Sequence, residues 1–334
     1  MNSGKWDRRI HRATELTSVY PFAAEGLGFY TRVATFQRSL YADFRQSVGD
    51  SLKVSPAGCL RDEWNLPELL PKFPELLALI ERIAPAPLAQ AATSLMQRGR
   101  GEWQQVMEDF CRYELAIPEG SEAVTERGDR SETLPAERLL AWIFLQPYAE
   151  YLADRRAPRH LGGTPSTCPL CGGKPIVGVL RPEGDGAKKS LICMLCGHEW
   201  AFRRIYCPAC SEEREPQIAF YSAPEIAHVR VDVCDSCHTH LKSVDLTKMG
   251  LAVPVVDELA SIPLDLWARE HGYEKLQITC SEPRLSDSLI SSSRRKVRLS
   301  ASLLCSRLSM LAVSSSEASQ FLQSKRPKPL AFPL

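Results

Sequence analysis

The sequence contains no long run of apolar residues and no excess of charge of either sign. None of its uninterrupted apolar stretches approaches the roughly 20 residues that a membrane-spanning helix needs, and the segment Met1–Arg9 leads into no apolar signal-peptide region. Lysine plus arginine (41) almost equals aspartate plus glutamate (40), so the net charge of +1 gives no strong field for nucleic acid or a membrane surface. These absences predict a cytoplasmic protein that neither inserts stably into a membrane nor binds nucleic acid.

Motifs of the common enzyme classes are also missing. The chain has no Gly-x-Gly-x-x-Gly, no Walker loop, no Gly-x-Ser-x-Gly and no His-Glu-x-x-His. Three acidic residues in its C-terminal third, Asp257, Glu258 and Asp265, have the spacing of a solvated helix face. We therefore predict that the protein is not an enzyme and has no catalytic residues.

Cysteine, by contrast, is abundant and concentrated in one segment. Eight of the twelve cysteines form four Cys-x-x-Cys pairs, spaced as Cys-x2-Cys-x21-Cys-x2-Cys, then ten residues, then Cys-x2-Cys-x23-Cys-x2-Cys. A two-residue gap lets both thiolates of a tight turn, called a knuckle below, bind one metal ion, and two knuckles complete a tetrahedral cage of four sulfurs. The sequence therefore predicts two tetrathiolate metal sites. Their ligands are Cys168, Cys171, Cys193, Cys196, Cys207, Cys210, Cys234 and Cys237.

A repeat indicates which knuckles share a metal ion. The third knuckle repeats the Cys-Pro-x-Cys of the first about 39 residues later, as two tandem copies of one unit would. We therefore pair the first knuckle with the second and the third with the fourth, although interleaved pairings fit the same spacing. Gly172 and Gly197 directly follow two of the knuckles, where a left-handed backbone is often needed.

The spacing leaves the identity of the metal open. Tetrathiolate cages hold zinc, and the same geometry with iron is a rubredoxin-type site. Structural disulfides are an alternative, but they are poorly suited to a chain without a secretory signal. His198, His238 and His240 follow two of the knuckles, and we expect them to lie beside the cages or at the surface because eight cysteines already fill two sites.

Two hydrophobic patterns divide the chain. Apolar residues recur every three or four positions over 9–48, 66–83, 102–115 and 134–152, which predicts helices. Short apolar runs then predict strands at 176–180, 190–192, 218–221 and 228–233, and a helix over 255–271 closed by Gly272.

The predicted fold class is α+β, with an all-helical N-terminal domain followed by two small metal-binding knuckle domains of the rubredoxin or zinc-ribbon kind and a C-terminal helix. The predicted boundaries are 1–155 for the helical domain, 156–200 for the first four-cysteine domain and 201–275 for the second four-cysteine domain with its helix. Residues 276–334 form a serine-rich basic tail, with nine basic and three acidic residues from 280 onward, and this composition predicts disorder.

Several motifs resemble those of the FdhE-type formate dehydrogenase accessory proteins. They are Cys168-Pro169-Leu170-Cys171-Gly172, then Cys193 to Cys196 with Glu199-Trp200 and Arg204, then Cys234-Asp235-Ser236-Cys237-His238 with Leu241-Lys242, and finally Asp257 to Asp265 ending at Gly272-Tyr273. The resemblance covers about residues 8–275, and the helical half carries it weakly. Beyond that point the chain departs from the family, through either a lineage-specific extension or a shift of reading frame.

The resemblance implies a cytoplasmic assembly factor that is needed for active formate dehydrogenase, a molybdenum or tungsten enzyme, and that docks on its catalytic subunit. It implies iron in the two tetrathiolate sites, with zinc as the alternative, and allows a redox contribution from bound iron. We expect Trp200, Phe202 and Tyr206 on the knuckle hairpins to form a docking surface.

Two other functions remain open at this stage. Tandem zinc ribbons often bind nucleic acid, but residues 1–279 have a net charge of −5, which counts against that function. A stand-alone rubredoxin-like electron carrier is the other alternative, and a simple carrier has no need of the large helical domain.

Overall fold

The first half of the described chain is helical, in agreement with its apolar periodicity. The structure, a computed structural model, describes residues 3–48, 60, 64–114, 136–156, 165–277 and 311–313. The helices of this half are α1 (Ser3–Val19), α2 (Ala24–Val48), α3 (Leu66–Leu69), α4 (Phe73–Ile83), α5 (Ala86–Arg98), α6 (Arg100–Glu114) and α7 (Ala136–Asp154).

Proline residues produce two of the breaks between these helices. The helix predicted over 9–48 is two helices, because Pro21 opens a short 3₁₀ turn that separates α1 from α2. Proline has no amide hydrogen with which to continue a helical ladder. A second 3₁₀ turn, Leu70–Lys72, separates α3 from α4 at the interruption that Pro71 predicts. Helix α5 has no counterpart among the predicted segments.

Helix α7 is the centre of the helical region. Every residue from Leu139 to Leu152 except Gln146 is buried, and the helix packs against α2, α5 and α6. A helix that is apolar on all sides is buried on all sides. Part of this burial comes from the cysteine-rich region, which α7 contacts directly.

The cysteine-rich region forms one eight-stranded sheet. Its strands are β1 (Pro175–Glu183), β2 (Gly186–Cys193), β3 (Glu199–Phe202), β4 (Ile218–Ser222), β5 (Val229–Cys234), β6 (Thr239–Asp245), β7 (Glu274–Lys275) and β8 (Leu311–Val313). Their order is β3-β2-β1-β6-β5-β4-β8, and β7 pairs with β6. The sequence predicted β1, β2, β4 and β5 and missed β3, β6, β7 and β8.

The parallel pairing of β1 with β6 joins the strands of the first two knuckles to those of the last two. At this seam Gly178 lies opposite Ser243, and a side-chain carbon at Gly178 would come within 2.2 Å of the Ser243 hydroxyl oxygen. Only glycine permits so close an approach. The strands of both cysteine segments belong to the same sheet, so the sheet does not mark a boundary between the two predicted cysteine domains. The domain boundaries given above stay predictions.

The C-terminal helix predicted over 255–271 is two helices, α8 (Pro254–Ala260) and α9 (Ile262–Glu270). They meet at Ser261, whose backbone angles (φ −94°, ψ 38°) lie outside the helical region. Helix α8 packs between the sheet and α1, whereas α9 packs on β5 and β7. Gly272 ends α9 with φ +84°, as the predicted C-cap requires.

No helix in the described ranges is both long and apolar enough to cross a membrane. Apart from Leu276, Gln277 and the strand β8, the predicted tail lies outside the described residues.

Candidate metal centres

The structure brings the first two knuckles together into one group of four sulfurs. Cys168, Cys171, Cys193 and Cys196 are all buried, and their Sγ atoms lie within 4.8 Å of one another. Two of these separations are 3.3 Å between Cys171 and Cys193 and 3.5 Å between Cys168 and Cys196. This group is called the first cage below.

The third and fourth knuckles form the second cage in the same way. The Sγ atoms of Cys207, Cys210, Cys234 and Cys237 lie within 4.8 Å of one another. The Cys207–Cys237 and Cys210–Cys234 separations are both 3.6 Å. The structure thus has the pairing that the tandem repeat indicated, first with second and third with fourth.

The sulfur separations fit a tetrahedral metal ion. With metal–sulfur bonds of about 2.3 Å, the edge of a regular tetrahedron of sulfurs is about 3.8 Å. The observed values of 3.3 to 3.6 Å lie slightly below that edge and well above the length of a sulfur–sulfur bond. All eight cysteines have free thiols. When bound, zinc would supply a cross-link and iron a one-electron couple in addition.

A left-handed residue closes each of the four knuckles. The residue after the second cysteine has φ +75° at Gly172, +65° at Gly197, +64° at Ser211 and +53° at His238. The two glycines were predicted to have this conformation. The serine and the histidine adopt it without the freedom of glycine, at a cost of roughly 1–2 kcal/mol each. This shared geometry aims both thiols of a knuckle at one point.

Backbone hydrogen bonds orient the sulfurs further. The N–H groups of Gly173, Leu195 and Ala209 donate to Cys171 Sγ, Cys193 Sγ and Cys207 Sγ at 3.4, 3.4 and 3.3 Å. Such contacts favour the thiolate form and are part of what tunes a metal site.

Four neighbouring thiols cannot all ionise alike in the absence of a cation. In the second cage, the hydrogen bond with Cys207 is the main cause that lowers the pKa of Cys237 to about 5. Burial is the main cause that raises the pKa of Cys234 to about 11. Metal ligation requires all four as thiolates, so a bound cation would have to supply the compensating charge.

The first cage is built into the main hydrophobic core, against helix α7. The Trp142 indole N–H donates to the Met194 carbonyl at 3.0 Å, and the Leu60 N–H donates to the Leu170 carbonyl at 2.9 Å. Gly197 lies directly against Glu150, which is fully buried and paired with Arg9 at 2.7 Å. Both knuckle tips of the first cage are therefore part of the contact with the helical region.

The second cage has a small core of its own. Cys207 and Cys234 pack with Ile218 and Phe220 in a cluster that is separate from the main core. Glu212, which follows the third knuckle, accepts a hydrogen bond from Ser236 in the fourth at 2.7 Å. Cys210 is exposed and Cys237 is half-buried.

The remaining residues singled out from the sequence do not belong to the four-sulfur groups or lie outside the described chain. His198 stacks on Trp200, and His238 lies near Tyr273. Cys111 on α6 is half-buried. Cys59, Cys280 and Cys305 lie outside the described residues.

The predicted aromatic docking surface is wrong. Trp200 and Phe202 are each only 6% exposed, because their side chains face the core from β3. The Trp200 N–H donates to the Pro165 carbonyl at 2.9 Å. Tyr206 alone is half-exposed, and the Arg203 guanidinium lies over its ring.

The prediction of a solvated acidic face on the last helices is also wrong. Asp257, Glu258 and Asp265 are 1%, 0% and 7% exposed. They can be buried because basic side chains from the sheet and from α1 form ion pairs with them. The spacing of residues within one helix does not reveal such partners.

One buried ion cluster joins α8 and α9 to the sheet. Lys242 on β6 is fully buried and contacts Asp265 at 2.6 Å and Glu258 at 3.1 Å. Lys275 on β7 contacts the same two carboxylates at 3.2 and 2.6 Å, and the His240 ring lies 3.1 Å from Asp265. Burial acts to raise the pKa of Asp265, but the two lysines and His240 outweigh it and hold that pKa well below its ordinary value. Glu258 and Asp265 are seven residues apart, which places them on one face of the helix predicted over 255–271, and this spacing was the available signal.

A second cluster joins α1 to the sheet. Arg12 donates to both oxygens of Asp257 at 3.0 and 2.6 Å, and the His228 ring lies 2.9 Å from the same carboxylate. The Val253 N–H also donates to Asp257 at 2.8 Å. Burial opposes the ionised form, but the bonds from His228 and Arg12 hold the pKa of Asp257 below its ordinary value.

Comparison with known proteins places both cages within one family. The family model described as "FdhE, central domain" matches residues 167–204, and "FdhE, C-terminal domain" matches residues 205–280. Each model thus contains one complete cage.

Relatives extend the likeness to the helical part. The "Protein FdhE homolog" of Aquifex aeolicus is 23% identical over 278 residues, which are 80% of this chain and 92% of that protein. The protein of the same name from Haemophilus ducreyi is 31% identical over 142 residues, which are 42% of this chain and 46% of that protein.

A solved structure has the same fold. The crystal structure of the FdhE protein from Pseudomonas aeruginosa superposes with a TM-score of 0.60 at 21% identity, over 84% of this chain and 96% of that one. The likeness of fold, the two matched domain models and the two cages agree with the resemblance drawn from the motifs, so residues 167–280 of the chain are similar to both cysteine-bearing domains of the FdhE proteins.

Proposed function

We propose that this protein is an accessory factor needed for the formation of active formate dehydrogenase. The observation that carries the proposal is the pair of four-sulfur cages, each of which lies within one of the two matched FdhE domains. The factor acts in the cytoplasm by docking on the catalytic subunit of the enzyme, and it performs no catalytic step itself.

The eight cysteines of the two cages are the proposed metal ligands. All ligands are thiolates, and both iron and zinc accept tetrahedral sulfur coordination. Iron is the proposed metal because the resemblance to the FdhE proteins implies it, and zinc is the alternative. A redox contribution from iron would be confined to the second cage, where the ligand residue Cys210 is exposed.

Deletion of the gene in the source organism tests the function. We expect formate-dependent dye reduction to fall while the formate dehydrogenase polypeptide, measured by immunoblot, stays at its normal amount. The unmodified gene should restore activity, and a gene with Cys193→Ser should not. Full activity in the deletion strain would contradict the proposal. Co-purification of the catalytic subunit with tagged factor tests docking separately.

An electron carrier of rubredoxin type is the second candidate, favoured by the exposed Cys210. It predicts a reversible one-electron potential and normal formate dehydrogenase in the deletion strain. A nucleic-acid-binding function is disfavoured because basic side chains around the sheet face carboxylates. Examples are Arg181 with Glu199 and Arg203 with Glu213, at 2.7 and 2.9 Å.

A further inference from the structure

The two cages differ in how far their cysteine residues are exposed to solvent. All four cysteines of the first cage are buried, whereas in the second cage Cys210 is exposed and Cys237 is half-buried. Cys210 is the one exposed residue among the eight cage cysteines. A molecule in solution can therefore reach a ligand residue of the second cage without any movement of the protein.

The knuckle around Cys210 is also held less tightly than its counterpart in the first cage. Ala209, Cys210 and Ser211 are exposed, whereas the corresponding residues 170–172 are buried. The Cys210 sulfur contacts the Cys234 sulfur at 3.6 Å. A ligand on an exposed turn has fewer packing contacts to hold it than a ligand on a buried turn, so it leaves its metal more readily.

Opening this knuckle disturbs little of the protein. The second cage belongs to a small separate cluster with Ile218 and Phe220, whereas the first cage belongs to the main core. Regions with few buried apolar contacts open locally at low free energy. The loss of one ligand at Cys210 therefore leaves the sheet, the helical region and the first cage in place.

We propose that Cys210 is the exchangeable ligand of the second cage and that its release opens a coordination position for a thiol from outside the chain. In this exchange the bond from the metal to Cys210 Sγ breaks and a bond from the metal to the incoming sulfur forms. The proton of the incoming thiol passes to the released Cys210 thiolate, so charge and ligand number are unchanged. Cys207, Cys234 and Cys237 keep the ion in the chain. The proposal rests on metal binding by the second cage.

Replacement of the ligand by a free thiol tests the exchange. The full chain, Cys210→Gly and the matched control Cys171→Gly are loaded with Co²⁺, whose thiolate charge-transfer and d–d bands report the number of sulfur ligands. Addition of 2-mercaptoethanol should restore the four-sulfur spectrum in Cys210→Gly and leave Cys171→Gly unchanged. No restoration in Cys210→Gly, or equal restoration in both variants, overturns the proposal. Absence of cobalt bands in the full chain instead contradicts metal binding by the cages.

A second measurement needs no variant and is independent of whether Cys171→Gly folds. The cobalt-loaded full chain is treated with iodoacetamide, and modification of each cysteine is followed by mass spectrometry. Cys210 should be alkylated at least tenfold faster than each of the four cysteines of the first cage. Alkylation of the first cage at a similar rate overturns the proposal.

Discussion

Lysine 242 is the residue whose replacement tests most directly how the sheet holds the C-terminal helices. Its ammonium group is fully buried and contacts Asp265 and the Glu258 carbonyl, both at 2.6 Å. The cluster of Lys242, Lys275, Glu258 and Asp265 contains two positive and two negative charges. Lys242→Met keeps most of the apolar stem but leaves two buried carboxylates with one lysine.

The expected cost follows from that imbalance. Removal of one partner from a buried ion pair costs about 3–5 kcal/mol, because the other charge stays buried without compensation. We expect amide protection of β6 in the metal-loaded protein to fall at least 100-fold, since each 1.4 kcal/mol is a factor of about ten. Hydrogen exchange read by mass spectrometry on the peptide 239–245 measures this fall.

Two variants make the result interpretable. Lys188→Met is the matched control. Lys188 is exposed, and its ammonium group lies 3.6 Å from the exposed Glu183 carboxylate. Exposed pairs of this kind contribute about 0–1 kcal/mol. Lys242→Met combined with Asp265→Asn restores charge balance, so its cost should be smaller than the sum of the two single costs. The reasoning is refuted if Lys242→Met changes protection no more than Lys188→Met, or if the two costs simply add.

Four further results are expected. Trp142→Phe removes the indole donor from the first cage and should destabilise that cage by about 1–3 kcal/mol, seen as faster metal loss to a chelator from the first cage alone. Arg12→Leu leaves Asp257 with His228 and the Val253 N–H as its partners and should expose the end of α1 to limited proteolysis; because the pKa of Asp257 is lowered on folding, its contribution is present above about pH 4 and declines as the pH falls further. Gly197→Ala should cost at least about 1–2 kcal/mol in thermal unfolding, whereas Ser211→Gly should be neutral or stabilising. Metal removal from the first cage should lower amide protection of α7, and removal from the second should not; the reverse pattern would contradict the packing described above.

The cages were predictable because their information is local. A Cys-x-x-Cys turn needs only its own residues to place two sulfurs, and the repeated Cys-Pro-x-Cys indicated how the turns combine. Gly172 and Gly197, which follow two of the knuckles, likewise indicated a left-handed backbone from the local sequence alone. The serine and histidine that have the same conformation after the other two knuckles carried no such signal.

The buried charges were not predictable because their partners are distant in the chain. Asp257 is 245 residues from Arg12, and Asp265 is 23 residues from Lys242. When only the helix pattern is known, a carboxylate is predicted to face solvent, because burying an unpaired charge is costly. Trp200 was expected at the docking surface because it lies on a knuckle hairpin, but its side chain is buried and its N–H donates to a backbone carbonyl 35 residues away. Joining of both cysteine segments in one sheet likewise depends on the β1–β6 pairing, which no local pattern contains.

The unequal packing of the two cages constrains the order in which the chain can be assembled. The Leu170 carbonyl of the first cage accepts a hydrogen bond from the Leu60 N–H, and the Met194 carbonyl accepts one from Trp142 of α7. Because Leu170 and Met194 lie inside the two knuckles, we expect their carbonyls to take these positions only when both knuckles have bound the metal. Because metal binding to such a cage contributes folding free energy on the order of 10 kcal/mol, we expect the helical region to dock firmly only after the first site is filled. The second cage belongs to a separate cluster that does not include α7. We therefore expect the rest of the protein to stay folded when the second cage loses its metal.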